Sequence, residues 1–341
     1  MKKKRGCFTT LFYWANILLA LLLLVTFVVP YVPPSKFPLL SLLGLTVHPL
    51  LFLHFLFFVY WVFSKNRRSL LSLVMLLLAY FMFNPFYHFG SKSSYGFQHS
   101  LKVLSYNVRL FNAYEEKENN TTVRDFRDLV RTQNPDVVLV QEYDREAPQV
   151  LAGYPFKYIH YPRENSRVGQ AIFSKYKLMG TGSLNFKNTY NNTVYANVIK
   201  NRDTLRVYNV HLQSMGILLD VDYLRSQGKE KLARRIANAF VKQERQIEKI
   251  MDHRLQSPHP VILGGDFNNT ATSYSYKKLS GGMRDSFLER GSGLGTTFYI
   301  FGYPMRIDYL LASPQIKVMD HGVPENSFSD HKPIIATFGW D

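Results

Sequence analysis

The chain is short of two things. It has one cysteine, Cys7, among 341 residues. That excludes a disulfide framework and a thiolate metal site within one chain, and leaves the compartment open. It also has no Asp or Glu in residues 1–100, where nine Lys or Arg lie. All 25 acidic residues fall in 101–341, beside 32 of the 41 basic ones, so that part is +7 in a chain of +16. No internal repeat and no low-complexity linker is visible.

With no acids and with clustered basic residues, residues 1–90 keep three long uncharged stretches. They hold Leu11 to Pro30, Phe37 to Phe63 and Ser69 to Phe89. Each reaches the roughly 20 residues needed to cross a bilayer. Trp14, Tyr31, Tyr60, Trp61 and Tyr87 lie near their ends, as interfacial aromatics do. A cleaved signal peptide is the alternative for the first stretch, since Lys2, Lys3, Lys4 and Arg5 precede it. Its apolar run is too long for that, no Ala-x-Ala site follows, and two more runs come after it. Three transmembrane helices are therefore expected in 1–90, with a linker at 91–100 and a second domain at 101–341.

Orientation follows from the short loops. The N-terminus carries Lys2 to Arg5, and the second loop carries Lys65, Arg67 and Arg68; Lys36 is alone in the first loop. The two richer clusters belong in the cytoplasm. That makes the protein a multi-pass inner-membrane protein with its C-terminal domain on the periplasmic side. His48, Pro49 and His54 lie inside the second run and are given no role.

From Leu101 the pattern changes to short apolar runs separated by turn signals. Strands are expected at 101–108, 136–142, 169–174, 193–200, 204–212, 260–265, 297–300, 306–311 and 334–338. Helices are expected near 124–131, 224–255 and 273–279. Many strands with few intervening helices suggest an α+β sandwich of two packed sheets with helices outside.

Several of these strands end on polar groups. They are Asn107, Glu142, His211, Asp266 with Asn268, Asp308, and Asp330 with His331. In Val261 to Asn268, two glycines precede an acid and an amide, which a continuing strand would present on one face. Alone, an Asp or Asn here reads as a turn or cap residue, Glu142 as a solvated strand end and His211 as a satisfied histidine. Together, carboxylates, amides and imidazoles without thiols suit a hard cation such as Mg²⁺, and His beside Asp supplies acid–base chemistry.

The ordered motifs Ser-Tyr-Asn107, Val-Gln-Glu142, Val-His211-Leu-Gln, Gly-Asp266-Phe-Asn268, Arg-Ile-Asp308-Tyr and Ser-Asp330-His331 resemble the endonuclease/exonuclease/phosphatase superfamily. Gly169 to Tyr176 is similar to its central strand motif. The resemblance spans 101–341 and implies a four-layer α/β-sandwich of the DNase I-like kind, performing metal-dependent phosphoester hydrolysis. It implies Glu142 as the principal Mg²⁺ ligand, with Asn107 and Asp330 beside it and Mn²⁺ as a substitute. It implies Asp266 and Asn268 at the attacking water and phosphate, Asp308 orienting His331, and His211 as the second catalytic histidine. Whether Asp266 or His331 is the base stays open.

The expected function is a membrane-anchored phosphodiesterase acting as a nuclease, with residues 1–90 in the lipid bilayer. The alternative is phospholipase-C-like or phosphatase action on sphingomyelin, a phosphoinositide or a small phosphoester. A non-catalytic receptor on this fold is a third reading, against which the intact motif set stands. The residues identify no protein partner. The basic residues of 224–255, Arg225 to Arg254, suit anionic phosphates or an ordinary solvated helix face. Arg306 reads as a salt-bridge partner. Tyr274 and Tyr276 read as groove or packing residues.

Overall fold

The computed structural model describes residues 7–83, 87–90, 96–113, 119–147, 150–216, 228–300, 302–325 and 327–341. Lys2 to Arg5, Arg225 and the first half of the expected linker, 91–95, lie outside them.

Three apolar helices come first: α1 (Cys7–Thr26), α2 (Val47–Phe63) and α3 (Ser69–Phe83). With their flanking turns, the first two form apolar segments Phe8–Tyr31 and Pro38–Phe63, of 24 and 26 residues. Both are long and apolar enough to cross a membrane. The third helix has 15 residues, about 22 Å at the α-helical rise. Among the described residues, two helices of spanning length stand where three were expected. The cause is local. The third run ends in His88–Phe89, which pairs as a strand with Ser292–Gly293 and so joins the later fold.

The helices pack through Leu23, Val47 and Met75. Ser72 Oγ donates to Asn16 Oδ1 at 3.1 Å between α3 and α1. At one end, the Arg68 guanidinium donates to Thr9 O at 2.8 Å and lies over Tyr13 and Trp61. At the other end, Phe27 meets Phe83 with ring centroids 5.2 Å apart. That second end docks on the rest of the chain. Glu244 accepts from Ser35 N at 2.6 Å and Ser35 Oγ at 2.8 Å. Gly44 O accepts from Thr272 Oγ1 at 2.8 Å and Thr270 Oγ1 at 3.4 Å.

The strands in chain order are β1 (His88–Phe89), β2 (His99–Asn107), β3 (Val137–Asp144), β4 (Phe156–His160), β5 (Val168–Ser174), β6 (Lys177–Ser183), β7 (Thr193–Lys200) and β8 (Asp203–His211). Then come β9 (Val261–Asp266), β10 (Arg284–Asp285), β11 (Ser292–Gly293), β12 (Phe298–Ile300), β13 (Tyr303–Met305), β14 (Asp308–Ala312), β15 (Lys317–Gly322) and β16 (Ile334–Trp340). The remaining helices are α4 (Asn119–Gln133), α5 (Lys229–Leu255), α6 (Tyr274–Ser280) and α7 (Ser286–Arg290).

Two six-stranded sheets form, in the orders β15-β16-β2-β3-β5-β4 and β10-β14-β9-β8-β7-β6. Each has one parallel pair at its centre, β2 with β3 and β8 with β9, and antiparallel neighbours outside. Alternation along the strands sorts the layers. Leu101, Val103 and Leu139 face Val207, Ile262 and Leu310 between the sheets. Leu104, Tyr106 and Val138 face outward onto Phe126 and Val130 of α4. Tyr208, Val210 and Leu263 face outward onto Ile247 and Ile250 of α5 and Leu279 of α6. Helix, sheet, sheet and helix make a mixed α+β sandwich, as the pattern of short strands predicts.

Candidate functional site

Both parallel pairs run toward the same end of the sandwich. Asn107 ends β2, and Glu142 lies two residues from the end of β3. His211 and Asp266 end β8 and β9 as register partners. β14 runs antiparallel to β9, so its first residue, Asp308, pairs with Asp266. β16 runs antiparallel to β2, so His331, just before it, returns to the same edge. The topology thus brings six of the eight sequence candidates to one place, from segments up to 224 positions apart.

Backbone conformation aims two of them. Glu142 sits at φ +51° where the β3–β5 register slips between Val140 and Tyr143. A bulge with a left-handed residue turns the side chain off its strand face. Asn268 has φ +50° and lies beyond β9, so pleat alternation does not align it with Asp266. A local turn does this instead. Asn268 N donates to Asp266 Oδ1 at 2.7 Å, and Asn268 Nδ2 donates to Asp266 Oδ2 at 3.0 Å and Leu212 O at 3.0 Å. The shared strand face expected for these two residues is corrected to an Asx turn.

Asp266 is buried at the centre. Its Oδ2 accepts from Asn107 Nδ2 at 3.1 Å and lies 3.6 Å from His211 Nε2 and 3.8 Å from His331 Nε2. Asn107 Nδ2 also donates to Glu142 Oε1 at 3.3 Å, while its oxygen accepts from Arg109 N at 3.1 Å. Asp308 Oδ2 accepts from His331 Nδ1 at 3.0 Å. A carboxylate only accepts, so the proton is on Nδ1. Two backbone amides, of Ile307 and Asp308, hold Thr297 Oγ1 beside this pair at 3.1 and 3.2 Å.

The two histidines are driven to opposite states. Burial, with the His331 charge adding to it, pushes His211 down to about 3. Its Nε2 accepts from Asn191 Nδ2 at 3.0 Å, which fits a neutral ring. Burial also opposes a charge on His331, but Asp308 and Asp266 outweigh it and hold the ring protonated well above its usual range. Burial raises the Asp266 carboxyl, against the His331 charge, with Asp308 adding to the rise. Glu142 is raised by burial, against His331, and Asp330 adds to the rise. Asp330 itself is exposed at the rim, 3.7 Å from the Arg109 guanidinium. Groups whose environments push their pKa values apart mark a place built for chemistry.

The residues suit a divalent cation. Burial raises the carboxyls of Glu142 and Asp266, with Asp330 and Asp308 adding to the rise, and a bound cation would favour their charged forms. Asp266, Asp308 and His331 bring one ligand atom each within 4.8 Å of one another. Because His331 Nδ1 is engaged with Asp308, the oxygen donors around Glu142 offer the harder ligand set.

Several neighbours of the site were not singled out from the sequence. Asn191 orients His211 from the β6–β7 connection. Beneath the site, Gln141 Nε2 donates to Asn209 Oδ1 at 2.7 Å and Ser105 Oγ at 3.1 Å. Asn209 Nδ2 donates to Val140 O at 2.9 Å and Ala171 O at 3.0 Å, tying the two sheets together. Inward polar residues at strand positions 105, 141 and 209 were the available clue.

Other candidates settle as structure. Arg306 donates to Asp285 Oδ2 at 2.8 Å, so it is a buried salt-bridge partner. Tyr276 is a packing residue whose hydroxyl donates to the same carboxylate at 2.6 Å. Lys231, Arg234, Arg245 and Lys249 lie on the exposed face of α5, as an ordinary solvated helix places them.

The endonuclease/exonuclease/phosphatase family model matches residues 104–331. Residues 9–86 match a domain of unknown function. No curated protein matches the chain. Among solved structures, an endonuclease/exonuclease/phosphatase from Beutenbergia cavernae is 16% identical, with a TM-score of 0.52 over 71% of this chain and 72% of that one. TDP2 from D. rerio, in complex with a single-strand DNA product, is 17% identical, with a TM-score of 0.53 over 70% of this chain and 99% of that one. An endonuclease/exonuclease/phosphatase from Bacteroides vulgatus is 18% identical, with a TM-score of 0.51 over 72% of this chain and 100% of that one. The match of the family model to two thirds of the sequence, over the strands that carry Asn107 to His331, makes this chain a member of the endonuclease/exonuclease/phosphatase family.

Proposed function

We propose that the protein is a membrane-anchored, Mg²⁺-dependent phosphodiesterase that cleaves nucleic acid. The observation that carries the reading is the convergence of Asn107, Glu142, His211, Asp266, Asp308 and His331 at one end of the sandwich. Glu142, with Asn107 and Asp330 beside it, would hold the cation. When bound, Mg²⁺ supplies charge neutralisation at a phosphate oxygen. Asp266 has a raised carboxyl and is oriented by Asn107 and Asn268, so it takes the proton of the attacking water. His331, kept charged by Asp308, faces the phosphoryl oxygens with Nε2 and stabilises the charge that grows there. His211, neutral and fixed by the hydrogen bond its Nε2 accepts from Asn191, flanks Asp266 at 3.6 Å.

The rim favours a nucleic acid. Tyr190 adjoins Asn191, is exposed, and carries Arg163 over its ring at 5.1 Å. Tyr299 adjoins Phe298, which packs on His331, and carries Lys332 at 5.4 Å. Exposed aromatic faces with cations beside them suit bases and phosphates. The D. rerio structure with a single-strand DNA product is of the same fold.

The helices supply the anchor. Arg68 closes the end of α1 and α2 opposite to the end that docks on the sandwich. The basic loop Lys65 to Arg68 therefore lies at the end of the helices away from the sandwich. The test is a panel of single-stranded DNA, plasmid, RNA, sphingomyelin and phosphoinositide, given to the full chain in detergent with Mg²⁺ or EDTA. Cleavage of DNA or RNA that stops in EDTA and in Asp266→Asn is expected. Activity that survives either change overturns the site, and cleavage of a lipid alone overturns the substrate.

A further inference from the structure

A cavity of about 460 Å³ lies where the N-terminal helices meet the sandwich. That volume is within the range of small-molecule sites. Leu51, Leu76 and Phe83 form the helix wall; Phe287, Tyr303 and Pro304 form the other. None of the catalytic candidates lines it. Its one charged group, Arg306, is already neutralised by Asp285. His48, Thr272, Tyr276, Thr296 and Tyr303 add polar atoms, but most of the lining is apolar and suits hydrocarbon.

Its mouth indicates where the hydrocarbon comes from. Phe52 and Phe55 line the cavity and are also 61% and 51% exposed on α2. They belong to the surface that α2 turns to the bilayer. An apolar cavity continuous with a lipid-facing surface is reached without crossing water. We infer that this cavity binds an acyl chain of a bilayer phospholipid, wedged between the helices and the sandwich. The inference rests on the membrane-anchored reading and is independent of which phosphoester is cleaved.

The position has a consequence for the site. Tyr303 and Pro304 of β13 pair with Ile300 and Tyr299 of β12. Phe298, at the start of β12, lies with its ring 4.9 Å from His331 and bridges its backbone. A chain in the cavity supports the hairpin that touches His331.

The test uses full-length protein in vesicles of phosphatidylethanolamine and phosphatidylglycerol carrying a diazirine on one acyl chain. After illumination, labelled peptides are mapped. Label on α1, at exposed Leu11, Leu18 and Leu21, reports anchoring alone. Label on 287–306 reports the cavity, because that segment belongs to the sandwich. Both are expected in the native protein. In Leu294→Trp, which fills the mouth from an exposed position, label on 287–306 should fall about tenfold, as for a contact worth one decade of affinity. The α1 label should stay unchanged. Label on α1 with none on 287–306 overturns the cavity inference and leaves the anchor standing. No label on either overturns the anchor, and the cavity inference with it. Undiminished label in Leu294→Trp also overturns the cavity inference.

Discussion

Two neighbouring glycines precede the central acid, and alanine at each should fail in a different way. Gly265 has φ +139°, and a Cβ there would lie 1.9 Å from Val210 O and 2.7 Å from Val210 N. Val210 is its register partner on β8, so the obstacle is backbone. Ordinary contact begins near 3.5 Å, so β8 and β9 must part by more than about 1 Å. His211 and Asp266 are the next residues on these two strands, 3.6 Å apart. A displacement of that size at reacting groups costs about 100-fold in rate. The backbone strain costs roughly 1–3 kcal/mol of stability besides. Gly264 differs: its Cβ would meet the ends of Leu310 and Leu139, at 2.5 and 2.9 Å. Those are side chains between the sheets, which can turn away. Overpacking costs about 1–3 kcal/mol and leaves the strand ends in place. The assay is the thermal midpoint of each variant together with kcat/KM on bis(p-nitrophenyl) phosphate with Mg²⁺. Both variants should melt earlier, and only Gly265→Ala should lose about two decades of kcat/KM. A Gly265→Ala enzyme within about threefold of native kcat/KM would refute the reasoning.

Three further outcomes follow from other contacts. Asp308→Asn removes the charge that holds His331 protonated and offers an amide NH2 that can turn toward Nδ1 and reverse the tautomer; kcat should fall by about 10²–10⁴ with KM little changed, and an equal rise in KM would speak against an orienting role. Asn209→Leu leaves Val140 O, Ala171 O and Gln141 without their buried partner; a loss of about 2–4 kcal/mol by chemical denaturation is expected, and a neutral result would dismiss the network. Arg306→Met strands the Asp285 carboxylate, whose pKa the guanidinium lowers against the pull of burial; about 3–5 kcal/mol should be lost at neutral pH. A lowered carboxyl stabilises the fold above its unfolded pKa of about 3.9, and that contribution disappears as pH falls through the folded value. The midpoints of native protein and Arg306→Met should therefore converge in acid, and a gap that stays constant with pH would exclude the pair as its cause.

The elements were legible because their signals are local. Strand ends at Asn107, His211 and Asp266 can be read from apolar runs that stop at polar residues, and the spans of α1 and α2 from uncharged length. The third run misled because length counts residues and not partners: His88–Phe89 leave it to pair with Ser292–Gly293. Asn268 misled for a related reason, since a left-handed turn after β9, invisible to a period-two pattern, brings it to Asp266.

Residue types alone determined the chemistry this protein can hold: oxygen and imidazole donors without a thiol in residues 101–341, and an acid-free apolar N-terminus. Only the tertiary structure decided which of those groups meet. The parallel pairs at the centre of each sheet bring four strand ends to one edge, and burial beside Asp308 and Asp266 charges one histidine while burial neutralises the other. The docking of Ser35 on Glu244 and of Thr272 on Gly44 likewise joins residues more than 200 positions apart. Such contacts depend on sheet register and desolvation. Both are properties of packed chains, and no local stretch of sequence carries them.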